Sequence, residues 1–376
     1  MDIYDRLGVK RVINAQGHAS KVGGSLMSDP VLDAMRQAAR SYVDIAELLA
    51  RAGEHLARLI GVEAVLVVNS AAAGLAVATA ACVAGRDPAK ITRLPDTAGM
   101  KNEIVVHRFH RNHYDGCVRQ VGIAFREIGL AGDTAAWELE KAITDKTAAV
   151  LYFVAYEGRN TLPLSSVIDI AHQAGVPVIV DAASEIPPLD NLAGIAAAGA
   201  DLVIISGGKG LGGPQTSGLI LGGRDLVGCC ALNSFPNQNT IGRAMKVGKE
   251  EIAGLVVAVE QTLAEGFGKK RLVWEERVET MLGFLRNLPH AEIRSVIDMP
   301  EEHDLHPVPI PRVWVDVRDG GRRNDVLRLL GRGSPGISVR AIGRTVFTLA
   351  PEPLQDGEAR IVAERVRDAL IETAPA

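Results

Sequence analysis

Two short apolar runs, each leading to a chemically reactive side chain, constrain the fold of this chain more than any other feature of its sequence. Residues 176–181 read VPVIVD and end in Asp181, and residues 202–205 read LVII and lead to Lys209. Continuous apolar runs of this length are typical of parallel strands buried on both faces. Lys209 follows Asp181 by 28 positions, with a helical pattern at 191–199 between them, so the sequence predicts a strand, helix and strand in succession.

The carboxyl ends of parallel strands meet at one edge of a sheet, so we expect Asp181 and Lys209 to lie at the same edge. Lys209 stands in a loop whose backbone is free to bend, because glycine occupies positions 207, 208, 210, 212 and 213. A lysine and a carboxylate placed this way are typical of a pyridoxal 5'-phosphate (PLP) site, in which the lysine forms a Schiff base with the cofactor and the acid pairs with its pyridinium nitrogen. A solvated loop lysine is the alternative.

Length, charge and cysteine pattern narrow the classes of function. With 376 residues, 47% of them hydrophobic, the chain can fill the core of one large α/β domain and a smaller one. A net charge of −4 and a pI near 6.2 argue against a protein that grips nucleic acid or an anionic membrane. The four cysteines form no CxxC pair, and neither a signal peptide nor a membrane span is visible. We therefore expect a cytoplasmic protein without nucleic-acid or membrane partners.

Five segments carry a family resemblance and follow one another in the order that the family has. They are YDRLGV at 4–9, GGSLM at 23–27, GVEAV at 61–65, DAASEIP at 181–187 and SGGKGLGGPQ at 206–215. On these segments the chain resembles fold-type I PLP enzymes of the aminotransferase class V-like superfamily, specifically the branch that contains selenocysteine synthase and D-glucosaminate-6-phosphate ammonia-lyase. The resemblance implies PLP as the cofactor, with Lys209, Asp181 and His110 as catalytic residues.

The resemblance also implies a fold. Residues 46–271 are expected to form a PLP-binding large α/β domain around a mostly parallel seven-stranded sheet, with an antiparallel strand at 216–221. Residues 272–376 are expected to form a smaller α+β domain. Residues 1–45 are expected to form an arm that packs against a partner subunit, which implies a homodimer or a higher homo-oligomer. From the sequence alone, a surface extension that contacts no partner subunit is an equally good interpretation of this segment.

A strand at 64–68 runs into Asn69 and Ser70 and then into a helix of small residues. Free backbone N–H groups and the positive end of a helix suit a phosphate. The resemblance places the PLP phosphate here, with the Ser70 hydroxyl and the N–H groups of Ala71 and Ala72 as donors, although glycine is usual at position 71. A plain helix start capped by Ser70 is the alternative.

Three histidines, at 107, 110 and 113, follow a strand at 103–106 with a spacing that metal ligands also have. The arginines at 108, 111 and 119 weigh against a bound cation, so we expect no metal. The resemblance implies that a residue at this junction stacks on the pyridine ring. By position this residue is His110, with His113 as the alternative. Solvated loop histidines without a role at the cofactor are the other interpretation of both residues. Arg111 and its neighbours suit a phosphorylated sugar acid as substrate, but they equally fit a solvated basic face.

The remaining site predictions depend on the resemblance alone. Residues expected to contact the cofactor are Tyr156 and Ser184, both candidates for its phenolic oxygen, together with Ser206 and Gly213. Residues expected to contact the substrate are Arg159, Asn160 and, for its carboxylate, Arg340 or Arg344.

The expected reaction follows from the cofactor. PLP makes the Cα–H bond of a bound amino acid acidic, and Lys209 is positioned to take the proton. With a hydroxyl at Cβ, loss of that proton leads to loss of water and then to a 2-oxo acid and ammonia. The resemblance therefore implies a PLP-dependent lyase acting on a 2-amino-3-hydroxy acid such as D-glucosaminate 6-phosphate. A racemase, an aldolase or an aminotransferase shares Lys209 and Asp181 and stays open, and a non-catalytic binding subunit is a remote alternative.

Overall fold

The structure is a computed structural model that describes residues 2–130, 132–158, 160–288, 290–297 and 310–375. The described residues form two compact units. The larger unit contains Ser25–Ala264, and the smaller unit contains residues 2–24, 265–297 and 310–375. Residues 2–24 thus belong to the smaller unit and residues 25–45 to the larger one, and an amino-terminal arm that packs against a partner subunit stays a prediction.

The described ranges contain twelve strands and fourteen α-helices. The strands are β1 (Val12–Ala15), β2 (Ala64–Val68), β3 (Glu103–His107), β4 (Ala124–Ile128), β5 (Thr147–Phe153), β6 (Val178–Asp181), β7 (Leu202–Ser206), β8 (Gly218–Gly222), β9 (Glu292–Val296), β10 (Arg312–Asp316), β11 (Gly336–Ile342) and β12 (Val346–Leu349). The helices are α1 (Ile3–Leu7), α2 (Asp29–Ala39), α3 (Ile45–Ile60), α4 (Ala71–Ala84), α5 (Pro88–Arg93), α6 (Asp115–Arg119), α7 (Ala136–Ala142), α8 (Leu164–Gln173), α9 (Asn191–Ala197), α10 (Arg224–Leu232), α11 (Lys249–Glu265), α12 (Gly268–Leu285), α13 (Gly320–Arg332) and α14 (Glu358–Glu372).

The larger unit is built around a seven-stranded sheet with the strand order β2-β8-β7-β6-β5-β3-β4. Strand β8 runs antiparallel to its neighbours β2 and β7, and the other pairs in the sheet are parallel. The predicted α/β fold with a mostly parallel seven-stranded sheet is confirmed, and so is the antiparallel strand after Lys209.

Helices cover this sheet closely enough to bury its central strands. All seven residues of β5 are buried, which explains why six consecutive residues after Thr147 are apolar or aromatic. Helix α4 consists almost entirely of small residues and packs against the sheet. A Cβ built on its Gly74 would lie 2.8 Å from Cγ2 of Ile204, so the helix approaches β7 more closely than a larger residue would permit.

The register of the strands defines one functional edge. Val68 at the end of β2 and Ser206 at the end of β7 both pair with Gly218 at the start of β8. Phe153 at the end of β5 pairs with Asp181 at the end of β6. The loops that follow these strands therefore emerge at the same edge of the sheet.

The smaller unit has a five-stranded sheet with the order β1-β11-β12-β10-β9. Helices α12 and α14 pack together, and the core includes Phe347, Val362 and Val366. This arrangement confirms the predicted smaller α+β part of the fold. Strand β1, which pairs parallel with β11, was not predicted, because a four-residue strand has too little periodicity to be recognised without its distant partner.

Candidate active site

Asp181 and Lys209 lie at the carboxyl edge of the sheet in the larger unit, as their spacing predicts. Asp181 is the last residue of β6 and pairs with Ile204 of β7. Lys209 follows Ser206, the last residue of β7, by three positions. The Asp181 carboxylate accepts a hydrogen bond of 2.9 Å from the backbone N–H of Ala183. A carboxylate and an amine are thus presented by adjacent strands.

Burial changes the acid–base behaviour of both groups. Desolvation raises the pKa of Asp181, while the Ala183 N–H and the Lys209 charge oppose that rise. Desolvation lowers the pKa of Lys209, while Asp181 and Glu185 oppose that fall. A cation next to Asp181, such as a pyridinium N–H, stabilises its ionised form, and a lysine with a lowered pKa is a better nucleophile toward an aldehyde. The pair therefore fits PLP.

Hydrogen bonds from two distant segments hold the loop that carries Lys209. Ser25 donates its N–H to the Gly208 carbonyl at 3.0 Å and its hydroxyl to the Gly213 carbonyl at 3.4 Å. Thr262 of α11 donates its hydroxyl at 3.1 Å to the carbonyl two residues past Lys209. Neither residue was predicted to have a role, although Ser25 lies within the GGSLM segment. These contacts fix the backbone around the lysine, which a precise catalytic geometry requires.

The start of α4 has the properties of a phosphate site. The Ser70 hydroxyl accepts the N–H of Ala73 at 3.1 Å and so caps the helix. The N–H groups of Ala71 and Ala72 have no hydrogen-bond partner among the described residues, and they stand at the positive end of a 14-residue helix. A Cβ built on Gly218 would lie 2.9 Å from the Ser70 carbonyl carbon, so glycine keeps this space open. The residues present fit the PLP phosphate.

His107 and His110 are both completely buried, with 0% exposure. Nε2 of His107 accepts the backbone N–H of Leu162 at 3.1 Å, and Nδ1 of His110 accepts that of Phe153 at 3.3 Å. Burial lowers the pKa of His107 to about 4 and also lowers the pKa of His110 well below its ordinary value. Both rings are therefore neutral at neutral pH, and both support the backbone at the end of β5 and in the segment after it.

The stacking role predicted for this histidine cluster stays a prediction. The His110 ring lies 4.6 Å from the Tyr152 ring and 6.1 Å from that of Tyr156, between centroids, and it has no face open to solvent. His113, by contrast, is exposed. Of the two candidates, His113 thus has the ring that is accessible from outside the protein.

The structure places the other predicted cofactor and substrate residues on the loops at this edge. Tyr156 lies half-buried in a short 3-10 turn after β5, and Ser184 is exposed three residues after Asp181. Asn160 has a left-handed φ of 52°, and its carbonyl accepts the hydroxyl of Thr134 at 2.6 Å. Arg159 lies outside the described residues. The contacts of these side chains with a cofactor or a substrate stay predictions.

The charge of Arg111 is compensated within its own unit. Its Nε lies 2.7 Å from a carboxylate oxygen of Asp115, and its Nη1 pairs with Glu127. Its guanidinium lies 4.4 Å from the centroid of the Phe125 ring, and Arg108 also pairs with Glu127, at 3.1 Å. These contacts favour structural ion pairs over a phosphate site for the basic cluster. A contact between Arg111 and the substrate stays a prediction.

Arg340 and Arg344 belong to the smaller unit. Arg340 lies on β11 and Arg344 in the turn after it, and both are exposed. The same unit contains a buried ion pair that the sequence analysis missed. Arg312 Nη2 lies 2.9 Å from Glu352 Oε1, with side-chain exposures of 13% and 2%. No local sequence signal indicates this pair, because its members are brought together only by the pairing of strands. Which arginine binds a substrate carboxylate stays a prediction.

Across the described part of the chain, no group of three or more His, Cys, Asp or Glu side chains is arranged to hold a metal ion. No helix in the same ranges combines the length and the apolarity needed to cross a membrane. The four cysteines have free thiols.

Comparison with solved structures identifies the class of protein. A structure of D-glucosaminate-6-phosphate ammonia-lyase matches 100% of both chains, with a TM-score of 0.83 and 31% identity. A structure of SPT with PLP, at 12% identity and a TM-score of 0.62, covers 96% of this chain and 88% of that chain and shares the fold alone. The chain is a fold-type I PLP-dependent enzyme.

Sequence comparison then identifies the family. The family model described as SelA, L-seryl-tRNA selenium transferase, matches residues 12–274, and the chain belongs to this family. A 5'-C-glycyluridine monooxygenase-decarboxylase from Streptomyces is 39% identical over 303 residues, which are 78% of this chain and 74% of the relative. The D-glucosaminate-6-phosphate ammonia lyase of Salmonella typhimurium is 32% identical over 381 residues, 98% of this chain and 97% of the relative. The predicted branch, the PLP cofactor and the class of PLP-dependent lyase are confirmed.

Proposed function

We propose that this chain is a PLP-dependent ammonia lyase acting on a 2-amino-3-hydroxy acid of the D-glucosaminate 6-phosphate type. The observation that carries the proposal is the similarity to the Salmonella typhimurium ammonia lyase, which extends over 98% of this chain. The position of Lys209 and Asp181 at one edge of the sheet supports it, because this chemistry needs a lysine base and a carboxylate at the cofactor nitrogen.

The residues of the chain have defined tasks in this reaction. PLP, when bound, supplies an electron sink that makes the Cα–H bond acidic. Lys209 takes the Cα proton, and burial, which lowers the pKa of its amine, increases the neutral fraction that can act as a base. Lys209 then gives the proton to the Cβ hydroxyl, which leaves as water while the Cα–Cβ double bond forms. The released enamine acid takes up water to give a 2-oxo acid and ammonia.

Cofactor binding is proposed for residues on the loops of this edge. Asp181 pairs with the pyridinium nitrogen, because burial destabilises the ionised form of its carboxylate and a neighbouring cation stabilises that form. The N–H groups of Ala71 and Ala72 bind the phosphate at the start of α4. Tyr156 or Ser184 contacts the phenolic oxygen. These assignments use residues of the larger unit alone.

The relative with the higher identity favours a second candidate. The 5'-C-glycyluridine monooxygenase-decarboxylase is 39% identical over 303 residues. In this chain, such a reaction would use Lys209 and Asp181 but would break the bond between Cα and the carboxylate of the substrate, with oxygen as co-substrate. The second candidate is therefore an oxygen-dependent decarboxylase of a glycine-like amino acid.

We further propose that the protein is a cytoplasmic homodimer. Helix α1 buries none of its residues, and Ile3, Tyr4 and Leu7 are 52%, 53% and 67% exposed. Tyr42 is also fully exposed, at 103%. Apolar side chains exposed in this way are typical of segments that a second subunit covers, which supports a dimer. Free thiols support a reducing compartment. Light scattering of the purified protein tests the dimer.

Parallel assays distinguish the candidate reactions. Purified protein with PLP is mixed with D-glucosaminate 6-phosphate while ammonia, 2-oxo acid and the cofactor spectrum are followed together. We expect ammonia and 2-oxo acid in equal amounts. A panel of D- and L-amino acids and a glycyl nucleoside is tested in parallel, with oxygen uptake and carbon dioxide as additional measurements.

The control variant is Lys209→Ala, which lacks the lysine base and should release no ammonia above background. A spectral change with an amino acid and no ammonia from any substrate would contradict the lyase proposal in favour of a racemase, an aldolase or an aminotransferase. Oxygen uptake with carbon dioxide would favour the second candidate. A protein that stays colourless with added PLP would favour the non-catalytic alternative.

A further inference from the structure

Leu162, in the segment between β5 and α8, is held at both of its backbone groups by buried side chains. Its N–H donates to Nε2 of His107 at 3.1 Å, and its carbonyl accepts the hydroxyl of Tyr152 at 3.0 Å. His107 and Tyr152 are both 0% exposed. Segments outside helices and strands commonly run over the surface and bond to water, whereas this one is tied to the interior from two sides.

A third buried side chain holds the same segment two residues earlier. Thr134, at 4% exposure, donates its hydroxyl to the Asn160 carbonyl at 2.6 Å. Glycine at 129 makes room for this hydroxyl, because a Cβ there would lie 2.4 Å from Thr134 Oγ1. Asn160 has a left-handed φ of 52°, a sparsely populated conformation that clusters at functional sites. The rest of the larger unit therefore imposes the conformation of residues 160–162.

These three side chains come from three neighbouring strands. His107 is the last residue of β3, Tyr152 lies in β5, and Thr134 lies in the loop that follows β4. The three strands are adjacent in the order β5-β3-β4, and the end of β5 pairs with Asp181 of β6. Residues 160–162 thus belong to the loops at the carboxyl edge, after the strand next to the one that presents Asp181. Binding residues are commonly carried on loops that a rigid scaffold positions in this way.

We propose that Tyr152 and Thr134 are positioning residues for the substrate. Their hydroxyls fix residues 160–162 in the conformation in which Asn160 contacts a polar group of the substrate. The identity of that substrate rests on the proposed function, but the two hydrogen bonds do not. Neither hydroxyl takes part in the proposed chemistry. Loss of either one should therefore weaken substrate binding and leave the chemical step nearly unchanged.

Hydrogen exchange tests whether the two hydroxyls fix this segment. Tyr152→Phe and Thr134→Val each remove one hydroxyl with little change in shape, and Thr134→Ser keeps it. Amide exchange of the peptide that contains Leu162 is followed by mass spectrometry in the full-length protein with PLP and no substrate. We expect exchange to be about tenfold faster in Tyr152→Phe and Thr134→Val, because local opening releases the Leu162 N–H, and close to the wild-type rate in Thr134→Ser.

Steady-state kinetics test the effect on the substrate. With D-glucosaminate 6-phosphate, KM should rise about tenfold in Tyr152→Phe and in Thr134→Val, while kcat stays within about threefold of the wild-type value. Thr134→Ser should restore the wild-type KM. The PLP dissociation constant should be unchanged, because the proposed contacts with the cofactor phosphate and nitrogen lie on other loops. A protein that is merely destabilised would instead lose PLP binding and kcat together.

Thr147→Val is the matched control. Thr147 is also completely buried, and its hydroxyl accepts the N–H of Thr144 at 2.9 Å. It stands at the first position of β5, at the end of the strand away from the carboxyl edge. This variant loses a buried hydroxyl in the same strand as Tyr152, yet it should keep the wild-type KM and the wild-type exchange rate of the Leu162 peptide.

A wild-type KM in a folded Tyr152→Phe or Thr134→Val protein would overturn the role of the residue replaced, and so would wild-type exchange. If Tyr152→Phe does not fold, Thr134→Val and Thr134→Ser decide between them. Absence of ammonia release from the wild-type protein refutes the proposed function alone. KM is then replaced by the dissociation constant of the amino acid that changes the cofactor spectrum, and the same weakening is expected. Ammonia release with an unchanged KM in both variants refutes the positioning role alone.

Discussion

Gly210, the residue after the reactive lysine, is predicted to tolerate no side chain. A Cβ at this position would lie 1.8 Å from the Ile186 carbonyl oxygen and 2.6 Å from its carbonyl carbon. Non-bonded heavy atoms reach their optimum at about 3.5–4.0 Å, so Gly210→Ala has to displace one of the two loops by roughly 1.5 Å. The displaced loop carries either Lys209 or Glu185.

A displacement of this size affects both stability and rate. Overpacking of a well-packed site costs about 1–3 kcal/mol, and a misplacement of about 1 Å lowers the rate by about 100-fold. We therefore expect Gly210→Ala to lose about 2 kcal/mol of unfolding free energy and about 100-fold in kcat/KM. Urea unfolding followed by circular dichroism and the ammonia-release assay measure the two effects.

Gly212 provides the matched control in the same loop. A Cβ there meets nothing within 4 Å, but the residue has a left-handed φ of 69°. Gly212→Ala therefore adds backbone strain of about 1–2 kcal/mol without a collision. The rate should change little. A Gly210→Ala protein as active as the wild type, or no less active than Gly212→Ala, would contradict the predicted collision.

Three further predictions follow from buried groups. Gly218→Ala places a methyl group 2.9 Å from the Ser70 carbonyl carbon and should weaken PLP binding about tenfold in a cofactor titration. Burial lowers the pKa of His107 from 6.5 to about 4, so the unfolded chain binds a proton that the folded protein does not. Acidification through this window should reduce the unfolding free energy by up to about 3 kcal/mol, and His107→Gln should remove that part of the pH dependence in urea unfolding. Arg312→Met leaves the buried Glu352 carboxylate unpaired and should cost about 3–5 kcal/mol, most of which Arg312→Met combined with Glu352→Leu should regain.

Each of these predictions has a contrary outcome. A PLP dissociation constant unchanged by Gly218→Ala would mean that the start of α4 is not the phosphate site. A pH dependence of stability that is the same in wild type and His107→Gln would mean that His107 is not held neutral. A double variant at Arg312 and Glu352 no more stable than Arg312→Met would mean that packing, not the unpaired charge, accounts for the loss.

Much of the larger unit was predictable from local sequence. The bounds predicted for strand Ala64–Val68 coincide with those observed, because the strand is a continuous apolar run that ends at the polar residue Asn69. The placement of Asp181 and Lys209 at one edge was predictable as well. This placement follows because a single helix connects the strands that lead to Asp181 and Lys209, and that connection is visible in the local sequence.

Other features depend on contacts between residues far apart in the chain. The basic cluster around Arg111 was equally consistent with a phosphate site and a solvated face, and only the structure pairs it with Asp115 and Glu127. His110 is buried against rings from β5, which the local sequence did not indicate, and its stacking on the cofactor stays a prediction. Local periodicity reports which face of an element is apolar, but not which distant side chains will meet a polar group on that element.

Sequence patterns were therefore enough to predict the class of fold, the order of strands and helices in the larger unit, and the lysine and aspartate at its edge. Contacts between distant segments hold these groups in place. Ser25 and Thr262 brace the lysine loop from distant segments, and Gly210 allows the Glu185 loop to touch it. The physical reason is that hydrogen bonds, burial and the resulting pKa changes arise from packing between segments, whereas the sequence pattern encodes only the periodicity within each one.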